Sequence, residues 1–337
     1  MRAVVFDTYG GPLHVREVPD PVAAVDGVVV RVRATGVCRS DWHGWQGHDP
    51  GIALPHVPGH ELAGTVHAVG SAVTRWRVGD RVTAPFVNAC GRCPRCRQGD
   101  HQVCDAQRQP GFTHWGSFAE LVALDAADLN LVALPEGLTF VAAASLGCRF
   151  TTAYRAVLSQ GRAGAGEWVV VHGCGGVGLS AVQVAVAAGA SVVAVDVSEG
   201  ALALARELGA VHGVRPPAVD EVRRLTGGGA HLSIDALGSE QTCLASIASL
   251  RPRGRHVQVG LLPYGPVPVP MDEVLAKELE LVGSHGMAAH AYPEVLARIA
   301  AGELDPARLV TRELSLDEAP DALASLGTFP GVAVITL

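Results

Sequence analysis

The spacing of apolar positions changes once along the chain, near residue 140. Before that point short β-branched runs alternate with Gly and Pro, as strands and turns do. Val28–Arg33, Glu61–Val69, Asp80–Ala84 and Phe118–Leu124 read as strands. Helical patterning begins at Val141–Ala144 and Thr151–Ser159. From Glu167 onward apolar strands alternate with helices. Trp168–His172, Ser191–Val197, Leu232–Ala236, His256–Gly260 and Leu281–Ser284 are the predicted strands, and Val177–Ala188, Ala201–Leu208 and Glu240–Leu250 the predicted helices. Strands with no polar face, each followed by a helix, predict a parallel sheet covered on both sides. Pro293–Ala301 opens a tail that ends in one more apolar strand, Val332–Leu337.

An α/β chain of two domains follows, and 337 residues suit two cores better than one. The β-rich domain takes residues 1–149 and the returning 286–337, with a cysteine-bearing lobe near 88–106. The other, residues 150–285, is a doubly wound parallel sheet of Rossmann type.

Composition narrows the function. Charged residues are only 18% of the chain, which excludes a disordered, solvating sequence. The net charge is −7 with no long same-sign run, so nucleic acid is not an expected partner. Met1–Asp7 reaches an acidic residue before any signal-like apolar stretch. Val177–Val195 is uncharged and long enough for a bilayer, but Ser180, Gln183, Gly189 and Ser191 interrupt it. A buried helix and strand are expected there, in a soluble cytoplasmic protein without a membrane partner.

Eight cysteines are present, four of them at Cys90, Cys93, Cys96 and Cys104. A reduced compartment is expected, and clustered thiols then point to metal. Four soft ligands so close in sequence suit a closed, structural zinc site, with an iron–sulfur cluster as the alternative.

Gly173-Cys174-Gly175-Gly176-Val177-Gly178 follows a predicted strand and opens a predicted helix, the context that makes this fingerprint informative. Gly173 permits the tight turn, Gly175 lets the backbone approach a pyrophosphate, and Gly178 allows close helix–strand packing. The helix N-terminus adds unpaired N–H groups and a favourable dipole for phosphate. Asp196 ends the next strand, where an acid grips the ribose hydroxyls. A carboxylate there repels a 2′-phosphate, so NAD is expected rather than NADP.

A third group, Cys38-Arg39-Ser40-Asp41-Trp42-His43, Gly59-His60-Glu61 and Gly147-Cys148, follows no metal spacing of its own. Residue by residue, a buried thiol and a satisfied histidine are the better readings.

In order and spacing, these motifs together with Pro58–Gly64, Gly116–Glu120 and the glycine loop resemble the zinc-dependent alcohol dehydrogenases of the medium-chain dehydrogenase/reductase superfamily. The resemblance runs over essentially the whole chain and implies a GroES-like catalytic domain beside the Rossmann domain. It implies a catalytic zinc on Cys38, His60 and Cys148, with Glu61 as a conditional ligand and Asp41 orienting His60. Cys174 lies nearby in sequence but occupies a variable position. The resemblance further implies reversible oxidation of a primary or secondary alcohol to aldehyde or ketone through a zinc-polarised alkoxide, its proton leaving by Ser40 and His43. Arg39 matches a residue that pairs with the pyrophosphate, Thr152 one close to the nicotinamide, and Val177 one behind its ring. Phe86 falls in the substrate pocket, which Trp42, Trp45 and Trp115 could narrow equally well as they could fill a core.

Two departures stand out: Ala201 replaces a lysine frequent in relatives, and Gly331–Val334 lacks their basic residue. The implied partner is a small alcohol or carbonyl compound. A homo-oligomer is implied as well, a tetramer rather than a dimer. The alternatives are a polyol or amino-acid-alcohol dehydrogenase on the same scaffold, and a nucleotide-binding module without turnover.

Overall fold

The computed structural model describes residues 1–262 and 265–337. They form two compact units, one of residues 1–151, 286–328 and 332–337, the other of residues 152–285 and 329–331.

The first unit is built on a seven-stranded sheet. Its order is Val310–Leu314, Val332–Thr336, Val28–Val37, Leu62–Val69, Arg81–Thr83 and Val132–Ala133, with Leu121–Leu124 pairing separately onto Val28–Val37. The Val-rich run explains the central strand. Over Val30–Arg33 buried valines alternate with the half-buried Arg31 and the exposed Arg33, while Val28–Val29 and residues 34–37 are buried on both faces. The valines pack with Leu62, Val66, Val82 and Leu124. The C-terminal strand pairs antiparallel with this same strand, Ala333 opposite Val37. The end of the long strand, where Cys38 begins, is therefore fixed from both sides.

The second unit holds six parallel strands. Numbered along the chain, Trp168–His172, Ser191–Val195, His212–Val214, Ala230–Asp235, Leu250–Gln258 and Glu280–Gly283 lie in the order 3-2-1-4-5-6. This is the doubly wound Rossmann order. Residues 177–195 resolve into the helix Gly176–Ala187 and a buried strand, separated by Gly189 at φ +82°. No helix of the described residues is long and apolar enough to cross a membrane.

Parts of this unit differ from expectation. The strand His212–Val214 and the helix Val219–Leu225 have no counterpart in the pattern reading, because a three-residue His-Gly-Val strand carries too little signal. The fifth strand also starts earlier than expected. Its helix stops at Ala248, and Leu250 already pairs with Ala230. Pro252 and Gly254 lie in a bulge where the register slips between Ala230 and Leu232.

Candidate functional site

Cys38 ends the central strand of the first unit and caps the helix Arg39–Trp45. The first turn of that helix carries Asp41, which is 1% exposed. Its carboxylate accepts from Cys38 N at 3.0 Å, Gly59 N at 2.9 Å and His60 Nδ1 at 2.8 Å. One buried acid thus ties the cysteine motif to the histidine motif. Gly59 sits at φ +104°, and a Cβ there would overlap the Phe118 backbone nitrogen, so glycine is required before His60. Cys148 arrives from the other side, after the short helix Phe140–Ala144 and the 3₁₀ turn Ser145–Gly147.

These elements bring Cys38, His60, Glu61 and Cys148 together, one donor atom from each, all within 4.8 Å of one another. Since a carboxylate can only accept, Asp41 fixes a proton on His60 Nδ1, so that in the neutral ring the lone pair is on Nε2. That Nε2 is buried and has no hydrogen-bond partner. The cluster also strains its own protonation. Its contact with Cys148 draws the Cys38 thiol well below its ordinary value, with His60 and Arg149 adding to the effect. Cys148 is held well above, by Cys38 and by burial. Burial opposes a charge on His60, yet Asp41 and Cys38 raise it well above the usual range.

Glu61 is fully buried. Burial raises its carboxyl, against the opposing pull of Arg149. Arg149 donates to it from backbone N (2.8 Å) and from Nε (2.9 and 2.8 Å to the two oxygens), and Nη2 completes the ion pair.

Cys90, Cys93, Cys96 and Cys104 form the second cluster, again with all sulfurs within 4.8 Å. Cys93 and Cys96 are 3.4 Å apart, and Cys93 and Cys104 3.8 Å, far beyond a disulfide. A tetrahedral zinc with bonds of about 2.3 Å sets its sulfurs about 3.8 Å apart. Backbone N–H groups of Arg92 and Cys93 pull Cys90 down to about 6, while burial pushes Cys96 up to about 12. Amide N–H groups of Cys90 and Ala106 also point at the Cys104 sulfur, and that of Cys96 at Cys93.

Of the expected relay, the Ser40 hydroxyl lies 3.9 Å from the Cys38 sulfur. His43 Nδ1 stands 2.8 Å from Nδ1 of the exposed His48, and both rings meet Trp42 edge-on. Arg39 lies over the Trp42 ring, 5.2 Å from its centre, and donates to Leu326 O at 3.3 Å. Phe86 meets His60 edge-to-face at 6.1 Å, and Phe112 packs on it at 5.2 Å. Trp45 and Trp115 instead donate to the carbonyls of Gly11 and Pro55.

In the second unit the strand Trp168–His172 runs into Gly173 at φ +89°. A Cβ on Gly178 would overlap the Gly173 carbonyl oxygen, whereas nothing lies within 4 Å of a Cβ at Gly175. The helix starts at Gly176, followed by Val177, with Gly175 as its cap. Asp196 accepts from Cys174 N at 2.6 Å and from Ser198 N at 2.8 Å. It therefore braces the loop at the end of the second strand. Thr152 leaves a buried hydroxyl without a partner. Ala201 is buried, its N–H capped by Ser198.

Sequence reasoning missed Arg149, Phe112 and His48. Arg149 had a signal: it is a lone charge within the apolar run from Phe140 to Ala153.

Both clusters fit zinc. Two sulfurs and an orphaned, buried imidazole nitrogen make a three-ligand set, and four sulfurs make a closed one. Residues 25–136 match the family model described as alcohol dehydrogenase GroES-like domain, and residues 176–301 the one described as zinc-binding dehydrogenase. An alcohol dehydrogenase of Geobacillus stearothermophilus is 38% identical over 288 residues, 84% of each chain. An NAD-dependent alcohol dehydrogenase of Sulfurisphaera tokodaii is 33% identical over 349 residues, with 98% of both covered. The solved structure of an alcohol dehydrogenase from a Thermus species superposes with a TM-score of 0.91 at 33% identity, over 100% of this chain and 99% of its own. The chain belongs to the zinc-dependent alcohol dehydrogenase family of the medium-chain dehydrogenase/reductase superfamily.

Proposed function

We infer that this chain is an NAD- and zinc-dependent alcohol dehydrogenase that reversibly oxidises a primary or secondary alcohol to its aldehyde or ketone. The observation that carries the reading is the buried Nε2 of His60, left without a partner beside the Cys38 and Cys148 thiols. A zinc ion there would supply a Lewis acid with one open position, able to polarise the alcohol or carbonyl oxygen.

The chain's own residues do the rest. Asp41 keeps His60 in the tautomer that offers Nε2. Ser40, beside Cys38, takes the alcohol proton as it gives up its own hydroxyl proton, and His43, partnered by His48, is the base that passes a proton on to solvent. Phe86 and Phe112, flanking His60, exclude water from that side. Gly173, Gly175, Gly176 and Gly178 would form the turn that takes the pyrophosphate and Val177 would pack behind the nicotinamide ring, while Asp196 would hold the ribose, Arg39 pair with phosphate and Thr152 face the nicotinamide. Residues 1–149 and 286–337 form the catalytic domain and 150–285 the cofactor domain, with Cys90, Cys93, Cys96 and Cys104 holding a structural zinc.

A cytoplasmic homo-oligomer, tetrameric rather than dimeric, completes the reading. The self-association in this reading is supported by the exposed Leu261, Leu275 and Leu281, the last on the edge strand Glu280–Gly283.

NADH absorbance with NAD and a panel of primary, secondary, aromatic and polyol alcohols, with and without a zinc chelator, tests the activity. Chelator-sensitive turnover supports it. No turnover in protein shown to hold zinc and NAD would favour a module without catalysis.

A further inference from the structure

Glu61 poses a chemical problem. Its carboxylate lies close enough to Cys38, His60 and Cys148 to be a fourth ligand, which would fill the position an alcohol needs. We infer that Arg149 is the positioning residue that withholds Glu61 from the metal, leaving Cys38, His60 and Cys148 as the protein ligands. The inference rests on the reading of those three residues as the catalytic zinc site.

Three observations carry it. First, both Glu61 oxygens are engaged by this one residue, Oε1 by backbone N and Nε, Oε2 by Nε and Nη2. Nη1 anchors the fork to Val37 O at 3.0 Å, on the residue before Cys38. Second, the pair is buried, with Glu61 0% and Arg149 5% exposed, and a Cβ on Gly36 would overlap both side chains. The central strand has glycine where the pair needs room. Third, the backbone N–H and the guanidinium that hold Glu61 belong to the residue directly after Cys148, so ligand and clamp are set by the same turn of chain.

Charge supplies the reason. Two thiolates and a neutral imidazole exactly offset a divalent ion, and Glu61 and Arg149 offset each other. Without the guanidinium, a buried carboxylate would be left unpaired, a costly state, and its nearest cation would be the metal. A forked guanidinium suits this task better than an ammonium, because it binds two oxygens in one plane.

The test uses the full chain with cobalt(II) in the catalytic site, read by its visible ligand-field bands and its near-ultraviolet thiolate charge transfer. Arg149→Met should shift the ligand-field bands as Glu61 enters the fourth position, and raise the KM for alcohol roughly 10-fold or more. Adding Glu61→Gln to that variant removes the competing charge and should restore the wild-type bands. Unchanged bands in Arg149→Met, or an equal shift in the single and double variants, would overturn the proposal. If Arg149→Met does not fold, Arg149→Gln decides: its amide fills the space but carries no charge to pair with Glu61, so wild-type bands in that variant also overturn it. Absence of thiolate charge transfer in the wild-type protein would instead remove the metal-site reading itself, and the role of Arg149 with it.

Discussion

Asp41 Oδ1 stands 2.8 Å from His60 Nδ1, and both side chains are sealed from solvent. The same carboxylate receives the amides of Cys38 and Gly59, so it sets the spacing of two ligand-bearing segments as well as the imidazole tautomer. Asp41→Asn keeps the shape but offers an amide that also donates, which lets the ring turn its proton the other way. Zinc affinity should fall roughly 10–100-fold. Competition with a chromophoric chelator measures this, and an affinity equal to wild type would show that Asp41 does not orient the ligand.

The two sulfur-bearing clusters should release metal differently. Cys90, Cys93, Cys96 and Cys104 close a full shell, whereas Cys38, His60 and Cys148 leave an exchangeable position. Dialysis against dipicolinate should remove about one zinc per chain quickly, together with activity, and the second slowly. Cys96→Ser should lower metal content and Tm, because metal binding to such a lobe is also folding energy. Loss of both metals at a single rate would contradict the closed shell.

Asp196 braces the glycine loop through Cys174 N, and the proposed function has it hold the ribose. Asp196→Ala should raise the KM for NAD and lessen the discrimination against NADP. Initial rates with both nucleotides give the ratio. An unchanged ratio would leave Asp196 with a purely structural role.

The parts of this molecule that were legible in sequence are those whose signal is local. Apolar strands such as Trp168–His172, the glycine loop and the four clustered cysteines each announce themselves within a few residues. Cys38, His60 and Cys148 do not, because the end of the strand Val28–Val37, the turn before the strand Leu62–Val69 and the 3₁₀ turn Ser145–Gly147 bring them together, and only resemblance to a family linked them beforehand. The short strand His212–Val214 exists by pairing with Val193–Val195, which its own residues do not reveal. Arg149 was legible as a charge in an apolar run, but its partner Glu61 lies 88 residues away. Phe112 belongs to a loop with no periodicity, so its place against His60 is purely tertiary.

His43 carries the pH dependence of the proposed proton path. Burial, with His48 and Arg39 nearby, lowers its pKa below the ordinary histidine value, and Cys38 works weakly the other way. The sign follows directly. At pH 7 the His43 ring is neutral and can take a proton; only below pH 6.5 does it charge and cease to act as a base. Alcohol oxidation should therefore lose rate on an acidic limb lying below pH 6.5. The 2.8 Å contact between the two Nδ1 atoms requires one ring to donate and the other to accept, so a charge on His48 further disfavours one on His43. His43→Ala should lower kcat roughly 10²-fold, the low end for general-base groups, and remove that limb. Added imidazole should restore part of the rate by carrying the proton through the vacated space. A profile with the acidic limb intact in His43→Ala would take His43 out of the path.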